Sequence, residues 1–250
     1  MAMLTVDNIG KSFGGLRVLS DVTFDVNEGE VVGLIGPNGA GKTTLFNVIT
    51  GFLTPNHGTV MFDGRDITRL APNARVRAGL VRTFQKSMVF PDLSLRENIA
   101  LAVRARNSAG YRLRPAAREL AEADATADAL LARARLGERT DDKVCNLSYG
   151  DQRIVDVLIS LAMAPRLLLL DEPTAGLARE EGERLIEIVR QHDSRTAIVL
   201  IAHDLDIVFG TSHRVAVLDL GRMIAFDTPD AIRAHAGARA AYLGALAEAT

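Results

Sequence analysis

Short apolar runs along the first third of the chain have the length and alternation of β-strands. They occupy residues 4–9, 22–26, 31–35, 59–62 and 80–84. Turn residues such as Gly29 and Gly64 separate them, and helical patterns begin near Lys42 and after Pro72. This part of the chain therefore predicts a mixed core with an antiparallel β portion at its amino-terminal end.

From Ser94 onward the apolar positions follow the period of helices instead of strands. Ser94 and Glu97 have the spacing of a capping box, in which each residue's side chain accepts from the other's backbone N–H. Ala, Arg and Glu then dominate at helical spacing as far as Leu136. We therefore predict a helical insert over about residues 91–164.

Alternating strands and helices resume after this insert. Strands are predicted over residues 167–170, 197–201, 215–218 and 223–226, with helices over residues 179–191 and from Asp204. The run 167–170 is apolar throughout, as in strands buried on both faces of a parallel sheet. The pattern predicts an α/β fold, followed by a tail over about residues 229–250 that begins with a helix at Pro229.

Composition and charge narrow the class of protein. The 29 basic and 31 acidic residues give a net charge of −2, which argues against a net basic field for nucleic acid. The apolar run 157–165 is far shorter than the ~20 residues of a membrane-spanning helix, and no secretory signal is visible. We therefore expect a cytoplasmic protein, in which the single cysteine, Cys145, is a small semi-buried residue.

One segment has the composition and context of a phosphate-binding loop. Gly36-Pro37-Asn38-Gly39-Ala40-Gly41-Lys42-Thr43 matches G-x-x-x-x-G-K-[ST] and lies between a predicted strand and a predicted helix. Small residues let backbone N–H groups surround phosphate oxygens, while Lys42 reaches the β- and γ-phosphates and the Thr43 hydroxyl holds Mg²⁺. The candidate nucleotide-binding residues are Gly36, Asn38, Gly39, Ala40, Gly41, Lys42, Thr43 and Thr44.

Two adjacent carboxylates end the buried strand at residues 167–170. A nucleotide triphosphatase needs a second Mg²⁺ anchor and a group that orients the attacking water. Asp171 at the strand tip suits the water shell of the metal, and Glu172 can act as general base. These residues complete a candidate site for the hydrolysis of a nucleoside triphosphate with Mg²⁺.

A third segment reveals a family resemblance that covers nearly the whole chain. Leu147-Ser148-Tyr149-Gly150-Asp151 resembles the L-S-G-G-Q signature of the ATP-binding cassette (ABC) ATPases, and Ser148 is also a suitable helix N-cap. The resemblance implies one ABC ATPase domain over residues 4–246, with an α/β phosphate-loop core, an amino-terminal antiparallel β part and a helical insert. It also implies that Ser148 and Gly150 contact the γ-phosphate held by an opposite subunit.

Three further positions match the family by order and context. Gln85 resembles the glutamine that senses Mg²⁺ and couples to the membrane partner. His203 resembles the histidine that contacts the γ-phosphate. Phe13 lies where the family places an aromatic ring that stacks on adenine. The resemblance thus implies ATP and Mg²⁺ as cofactors, with Glu172, His203 and Gln85 catalytic and with Thr43, Gln85 and Asp171 at the metal.

The chain departs from the family pattern at three positions. Tyr149 replaces the first glycine of the signature, Asp151 replaces its glutamine, and Ala178 replaces the aspartate of a Ser-Ala-Leu-Asp segment. Ser148 and Gly150, which carry the phosphate contact in the family, are retained. The departures bear on the contacts made across the dimer.

Within the family, the chain is most similar to the ATPase subunits of branched-chain amino-acid importers. The segments that carry this similarity are Val81-Arg-Thr-Phe-Gln85, Val89-Phe-Pro-Asp92, Leu147-Ser-Tyr-Gly150, Asp171-Glu-Pro-Thr-Ala-Gly-Leu177, Ala202-His-Asp-Leu-Asp206 and Ala241-Tyr-Leu-Gly244. Such subunits never touch the cargo, so urea, short amides or another amino acid are rival cargoes. Two rival functions are export of lipid or lipopolysaccharide and the action of a soluble ATPase on DNA or ribosomes.

The resemblance also implies partners and a location. The partners are transmembrane permease subunits, a second ATPase subunit that is identical or related, and indirectly an external solute-binding protein, with no nucleic acid. The apolar residues Met88, Val89 and Phe90 are expected to face the permease. The chain is then peripheral on the inner face of the plasma membrane.

Overall fold

The computed structural model describes residues 2–83, 88–107, 116–202 and 204–247. Its contacts divide the chain into two units. The first contains Met1–Arg82, Arg166–Glu172 and Arg195–Thr250, and the second contains Thr83–Pro165 and Pro173–Ser194.

The first unit contains two sheets and the helices packed on them. Its strands are β1 (Ala2–Phe13), β2 (Leu16–Asn27), β3 (Val31–Ile35), β4 (His57–Phe62), β5 (Arg65–Asp66), β6 (Leu80–Arg82), β7 (Leu167–Asp171), β8 (Ala197–Ile201), β9 (Arg214–Asp219) and β10 (Arg222–Asp227). Its helices are α1 (Lys42–Thr50), α2 (Pro72–Arg77), α7 (Leu205–Thr211), α8 (Pro229–Ala234) and α9 (Ala236–Ala247).

One sheet is antiparallel, with the strand order β2-β1-β4-β5. The buried side chains of β1 include Leu4 and Val6, which alternate along the strand, and Ile9, which follows a register shift. β1 and β2 are each 12 residues long, well beyond the predicted runs. The predicted runs missed the ends of this hairpin, where Leu19 is fully buried but polar residues such as Arg17 and Ser20 interrupt the apolar pattern.

The other sheet has the order β10-β9-β3-β8-β7-β6. Neighbouring strands from β9 to β6 are parallel, and β10 is antiparallel to β9. Every residue of β3, β7 and β8 is buried, as expected for strands covered on both faces. Because these strands are parallel, the segments that follow β3, β8, β7 and β6 all leave from the same edge of the sheet.

The second unit is helical in the part that the structure describes. It contains α3 (Leu95–Arg106), α4 (Ala117–Arg133), α5 (Tyr149–Ala162) and α6 (Arg179–Arg190), with 3₁₀ turns at Gly137–Arg139 and Val144–Asn146. No helix among the described residues of either unit is both long and apolar enough to cross a membrane.

Two helix starts in this unit confirm predicted caps. The Glu97 N–H donates to Ser94 Oγ at 3.1 Å, and the Ser94 N–H donates to Glu97 Oε2 at 2.7 Å. At α5, Ser148 Oγ accepts from the Asp151 N–H at 3.1 Å. A cap of this kind contributes about 1 kcal/mol because it satisfies an N–H that the helix itself leaves unpaired.

The expectation for Cys145 is wrong, because this residue is exposed. It lies in the 3₁₀ turn at Val144–Asn146, where Val144 is fully buried. The Cys145 N–H donates to the Pro91 carbonyl at 3.0 Å, so the backbone is anchored. Neighbouring residues of a tight turn point in different directions, and here the valine faces inward.

A buried arginine stabilises the carboxyl end of α1. Arg75 is 1% exposed. Its guanidinium donates to the carbonyls of Val48 (2.8 Å), Ile49 (2.6 Å), Thr68 (2.9 Å) and Leu70 (2.9 Å). Burial lowers the pKa of Arg75 to about 10, so the side chain remains charged at neutral pH. The positive charge lies at the negative end of the helix dipole.

We expect Arg75→Met to lower the free energy of unfolding by about 3 to 5 kcal/mol, because four carbonyls lose a charged donor. Urea unfolding measures the change. Arg77→Met is the matched control, since Arg77 belongs to the same helix and is exposed. Equal stability of the two variants would show that the buried network contributes nothing.

Candidate nucleotide-binding site

The predicted phosphate loop joins the carboxyl end of β3 to the start of α1. Gly36 has φ 150°, and a Cβ there would lie 1.9 Å from the Leu218 carbonyl oxygen. Gly41 has φ 103°, and its Cβ would lie 2.8 Å from Leu19 Cδ2. Only glycine fits these two positions. The loop therefore surrounds a helix N-terminus whose first N–H groups have no partner within the helix.

The remaining loop residues differ in exposure. Asn38, Gly39 and Thr43 are exposed, Thr44 is half-buried, and Ala40 is buried. The Ala40 N–H donates to the Pro37 carbonyl at 3.2 Å, and the Ala40 carbonyl accepts from the Gly221 N–H at 3.0 Å. The backbone at Ala40 is thus anchored, while the exposed residues on either side are accessible to a ligand.

Lys42 is buried and folds back over its own loop. Its Nζ donates to the carbonyls of Gly36 at 2.6 Å and Pro37 at 2.9 Å. Burial lowers the pKa of Lys42, and the negative charges of Glu172 and Asp171 partly oppose this shift. The amine therefore lies within the electrostatic influence of both predicted carboxylates. A bound phosphate can replace the carbonyl oxygens as its partner.

Asp171, the last residue of β7, and Glu172, which follows it, lie in different environments. Asp171 is 1% exposed, and its Oδ2 accepts from Arg82 at 2.6 Å. Glu172 is partly exposed and has φ 50°, a left-handed conformation that costs a residue with a side chain about 1 to 3 kcal/mol. Its N–H donates to the Ile201 carbonyl at 2.8 Å, which helps to hold this conformation.

The sheet register brings these residues close to the phosphate loop. Asp171 is paired with Ile201 on β8, and Ile201 is paired with Leu34 on β3. Two strand spacings separate Asp171 from Leu34, a distance of about 10 Å. Gln85 and His203 were predicted to follow β6 and β8 at this edge, but both lie outside the described residues.

Phe13 lies at the end of the β1–β2 hairpin, opposite Leu16. Its side chain is 47% exposed, and Lys11 Nζ lies 5.3 Å from the ring centroid. Val18 follows Leu16 by two residues on the same strand. If Gly41 of the phosphate loop carried a Cβ, that atom would lie 3.0 Å from the Val18 carbonyl oxygen. The exposed ring is therefore part of a hairpin that contacts the phosphate loop.

Ser148 and Gly150 belong to the second unit, at the N-terminus of α5. Ser148 is exposed. A Cβ at Gly150 would lie 2.3 Å from Glu181 Oε1, so a larger residue has to displace that carboxylate. Glu181 Oε2 also accepts from the Ala178 N–H at 3.1 Å. The Glu181 carboxylate thus lies directly beside the retained glycine of the signature.

The departures from the signature have partners within this unit. The Tyr149 hydroxyl donates to the Ala175 carbonyl at 3.4 Å. Asp151 forms ion pairs with Arg139 at 3.1 Å and with Arg184 at 3.5 Å. Sequence patterns did not identify Glu181 or Arg184, although Glu181 lies three residues after Ala178, the spacing at which a carboxylate reaches back to a helix start.

The residues predicted at the metal suit Mg²⁺ in their chemistry. Thr43 offers a hydroxyl and Asp171 a carboxylate, and Mg²⁺ prefers oxygen ligands together with substrate phosphates and water. The loop has space for those phosphates at Gly39, where an added Cβ would meet no atom within 4 Å apart from those of its chain neighbours. The donor set therefore fits the ion.

Comparison with known proteins identifies the family. Residues 19–175 match the family model described as "ABC transporter". The chain belongs to the ABC transporter family. It is an ATP-hydrolysing subunit of such a transporter, and its α/β fold is the predicted one.

Individual relatives cover nearly the full length of the chain. The high-affinity branched-chain amino acid transport ATP-binding protein LivG of Salmonella typhimurium (strain LT2) is 37% identical, over 97% of this chain and 98% of the relative. The lipopolysaccharide export system ATP-binding protein LptB of Escherichia coli (strain K12) is 32% identical, over 98% of both. The crystal structure of the ADP conformation of MJ1267, an ATP-binding cassette of an ABC transporter, has a TM-score of 0.85 and 31% identity, and the match covers 98% of this chain and 99% of that one.

We expect Phe13→Ala to weaken ATP and ADP binding equally, by roughly 5- to 150-fold, because a stacked ring contacts only the base. Phe13→Tyr keeps the aromatic face and is the matched control. Isothermal titration calorimetry measures the affinities. Unchanged nucleotide affinity in Phe13→Ala would rule out stacking on adenine.

Proposed function

We propose that this subunit powers the import of branched-chain or related amino acids through a membrane permease. The observation that carries this proposal is the identity to LivG over nearly the whole length of both chains. The short segments that distinguish this group, such as Ala202-His-Asp-Leu-Asp206, support the same conclusion. Similarity to LptB makes export of lipopolysaccharide the second candidate.

ATP is proposed to bind at the N-terminus of α1. Phe13 stacks on the adenine, while residues 36–44 surround the phosphates with backbone N–H groups. Lys42 exchanges its loop carbonyls for phosphate oxygens. The Thr43 hydroxyl, Gln85 and, through water, Asp171 hold Mg²⁺, which neutralises charge on the phosphates when it is bound.

Hydrolysis is proposed to depend on Glu172 as the general base. Its carboxylate lies at the end of a buried strand and acts electrostatically on Lys42. A base in that position can orient and deprotonate a water that attacks the γ-phosphate. His203 contacts the γ-phosphate, and Gln85 relays the state of the site to the permease.

Two copies of the site are proposed to form between two ATPase subunits. Ser148 and Gly150 at the start of α5 provide a helix N-terminus, which attracts anions. That N-terminus faces the γ-phosphate bound by the opposite subunit. The second subunit is a copy of this chain or a related ATPase.

The permease is proposed to dock on the segment that contains Met88 and Phe90. These side chains are 61% and 57% exposed. The backbone of these two residues is anchored by hydrogen bonds. The Met88 N–H donates to Asp156 Oδ1 at 3.1 Å, and the Phe90 N–H donates to Asn98 Oδ1 at 2.7 Å. A fixed, exposed apolar pair suits a partner surface. The subunit then lies on the cytoplasmic face of the membrane, and an external binding protein delivers the cargo.

The cargo is tested by capturing the permease with this subunit from detergent-solubilised membranes and reconstituting the complex in vesicles. We expect ATP-dependent uptake of leucine, isoleucine or valine once the binding protein is added. Phe90→Glu should prevent capture of the permease, whereas the isolated variant keeps its basal ATPase activity. Capture of a lipopolysaccharide-exporting permease instead would favour the second candidate, and uptake of urea alone would exclude amino acids.

We expect Glu172→Gln to bind MgATP normally and to hydrolyse it roughly 10²- to 10⁴-fold more slowly, because the amide keeps the size of the side chain but cannot accept a proton. The trapped nucleotide should then hold two subunits together. Size-exclusion chromatography with light scattering measures the dimer. Adding Ser148→Arg should abolish the dimer, because it places bulk and positive charge at a helix N-terminus.

Two results of that experiment would contradict the proposal. Near-normal hydrolysis in Glu172→Gln would exclude Glu172 as the base. A dimer that persists with Ser148→Arg would exclude the α5 N-terminus from the composite site. If Glu172→Gln stays monomeric alone, adding a related ATPase subunit tests whether the working dimer is mixed.

A further inference from the structure

Arg82 joins three elements that meet at the nucleotide site. Its Nη2 donates to Asp171 Oδ2 at 2.6 Å, and its Nη1 donates to Asn47 Oδ1 at 2.6 Å. Its guanidinium carbon lies 5.5 Å from the centroid of the Phe46 ring. The side chains of Arg82 and Asp171 are 8% and 1% exposed. One planar cation therefore contacts both the end of β7 and the helix α1 that begins at the phosphate loop.

The register of the sheet explains why these residues meet. Arg82 is paired with Leu169 on the neighbouring strand β7. Asp171 lies two residues beyond Leu169, and side chains two apart on a strand share a face. Asn47 and Phe46 belong to α1, the helix packed against that face. The contact is thus a consequence of strand pairing and helix packing.

Arg82 lies at the end of an edge strand. β6 is the edge strand of its sheet and is paired with β7 through three residues. Arg82 is its last residue, and Gln85 follows three residues later. An ion pair at the end of so short an edge strand fixes the last residue of that strand.

We propose that Arg82 is a positioning residue that holds the Asp171 carboxylate in the orientation required at Mg²⁺. This inference rests on the proposed role of Asp171 at the metal. The guanidinium occupies Oδ2 and is itself fixed by Asn47, so the carboxylate cannot rotate freely. Partners that orient a metal-associated carboxylate typically change metal affinity 10- to 100-fold when they are removed.

The test compares ATP affinity in Mg²⁺ with ATP affinity in excess EDTA, by isothermal titration calorimetry. The ratio of the two reports the contribution of the metal. We expect Arg82→Gln to reduce this ratio roughly 10-fold or more while changing metal-free ATP affinity little. Arg82→Lys should also reduce it, because one ammonium group cannot bridge Asp171 and Asn47 in the geometry of a planar fork. Asn47→Ala should cause a smaller reduction.

Two control variants separate the positioning role of Arg82 from the metal role of Asp171 and from the loss of any arginine in this sheet. Arg222→Gln removes an exposed arginine from the opposite edge of the same sheet and should leave the ratio unchanged. Asp171→Asn tests the metal role itself, and an unchanged ratio in that variant would overturn the proposed function of Asp171. A reduced ratio in Asp171→Asn together with a normal ratio in Arg82→Gln would overturn only the positioning role of Arg82.

The remaining outcomes also decide the matter. An equal loss of ATP affinity with and without Mg²⁺, accompanied by a lower Tm, would show that Arg82 only supports the fold. A normal ratio in Arg82→Lys would show that its charge suffices without bridging. A higher ratio in Arg82→Gln would show that the arginine competes with the metal for Asp171.

Discussion

The site depends on one constraint, which is that the central parallel strands are buried on both faces. Every residue of β3, β7 and β8 is buried, so polar groups are confined to the ends of these strands. Because the strands are parallel, their carboxyl ends converge on one edge. The phosphate loop, Asp171 and Glu172 meet there. Burial lowers the pKa of Lys42 at this edge, and the negative charges of the two carboxylates partly offset that shift.

Charges in such surroundings need partners, and the arginines of the first unit supply several of them. Arg82 pairs with the buried Asp171, and Arg75 stabilises the carbonyls at the carboxyl end of α1. Two buried guanidinium groups therefore hold the carboxyl-terminal half of α1, Arg82 through Asn47 and Arg75 through the carbonyls of Val48 and Ile49. Arg presents its N–H donors in a rigid plane, whereas the ammonium group of lysine is a compact charge on a flexible stem. These contacts connect the stability of the unit to the geometry of its site.

The second unit shows how departures from a family pattern can be accommodated locally. Asp151 forms ion pairs with Arg139 and Arg184, and Tyr149 contacts the carbonyl of Ala175. Both residues thereby connect the start of α5 to neighbouring segments of the same unit. A side chain at position 150 would meet the Glu181 carboxylate, which would have to move. The departures have defined packing, and Ser148 keeps its role as a cap.

The sequence alone determined the local features of this protein. The phosphate-loop motif, the Asp171-Glu172 pair, the caps at Ser94 and Ser148, and the family membership all depend on residues close together in the chain. Tertiary structure alone decided the rest. Arg82 and Asp171 are 89 positions apart, and Arg75 reaches Val48 across 27. The side chain of Cys145 points outward because its neighbour Val144 is the residue that is buried. Sequence patterns report periodicity and local hydrogen bonding, whereas such contacts depend on which strands pair and which helix covers them.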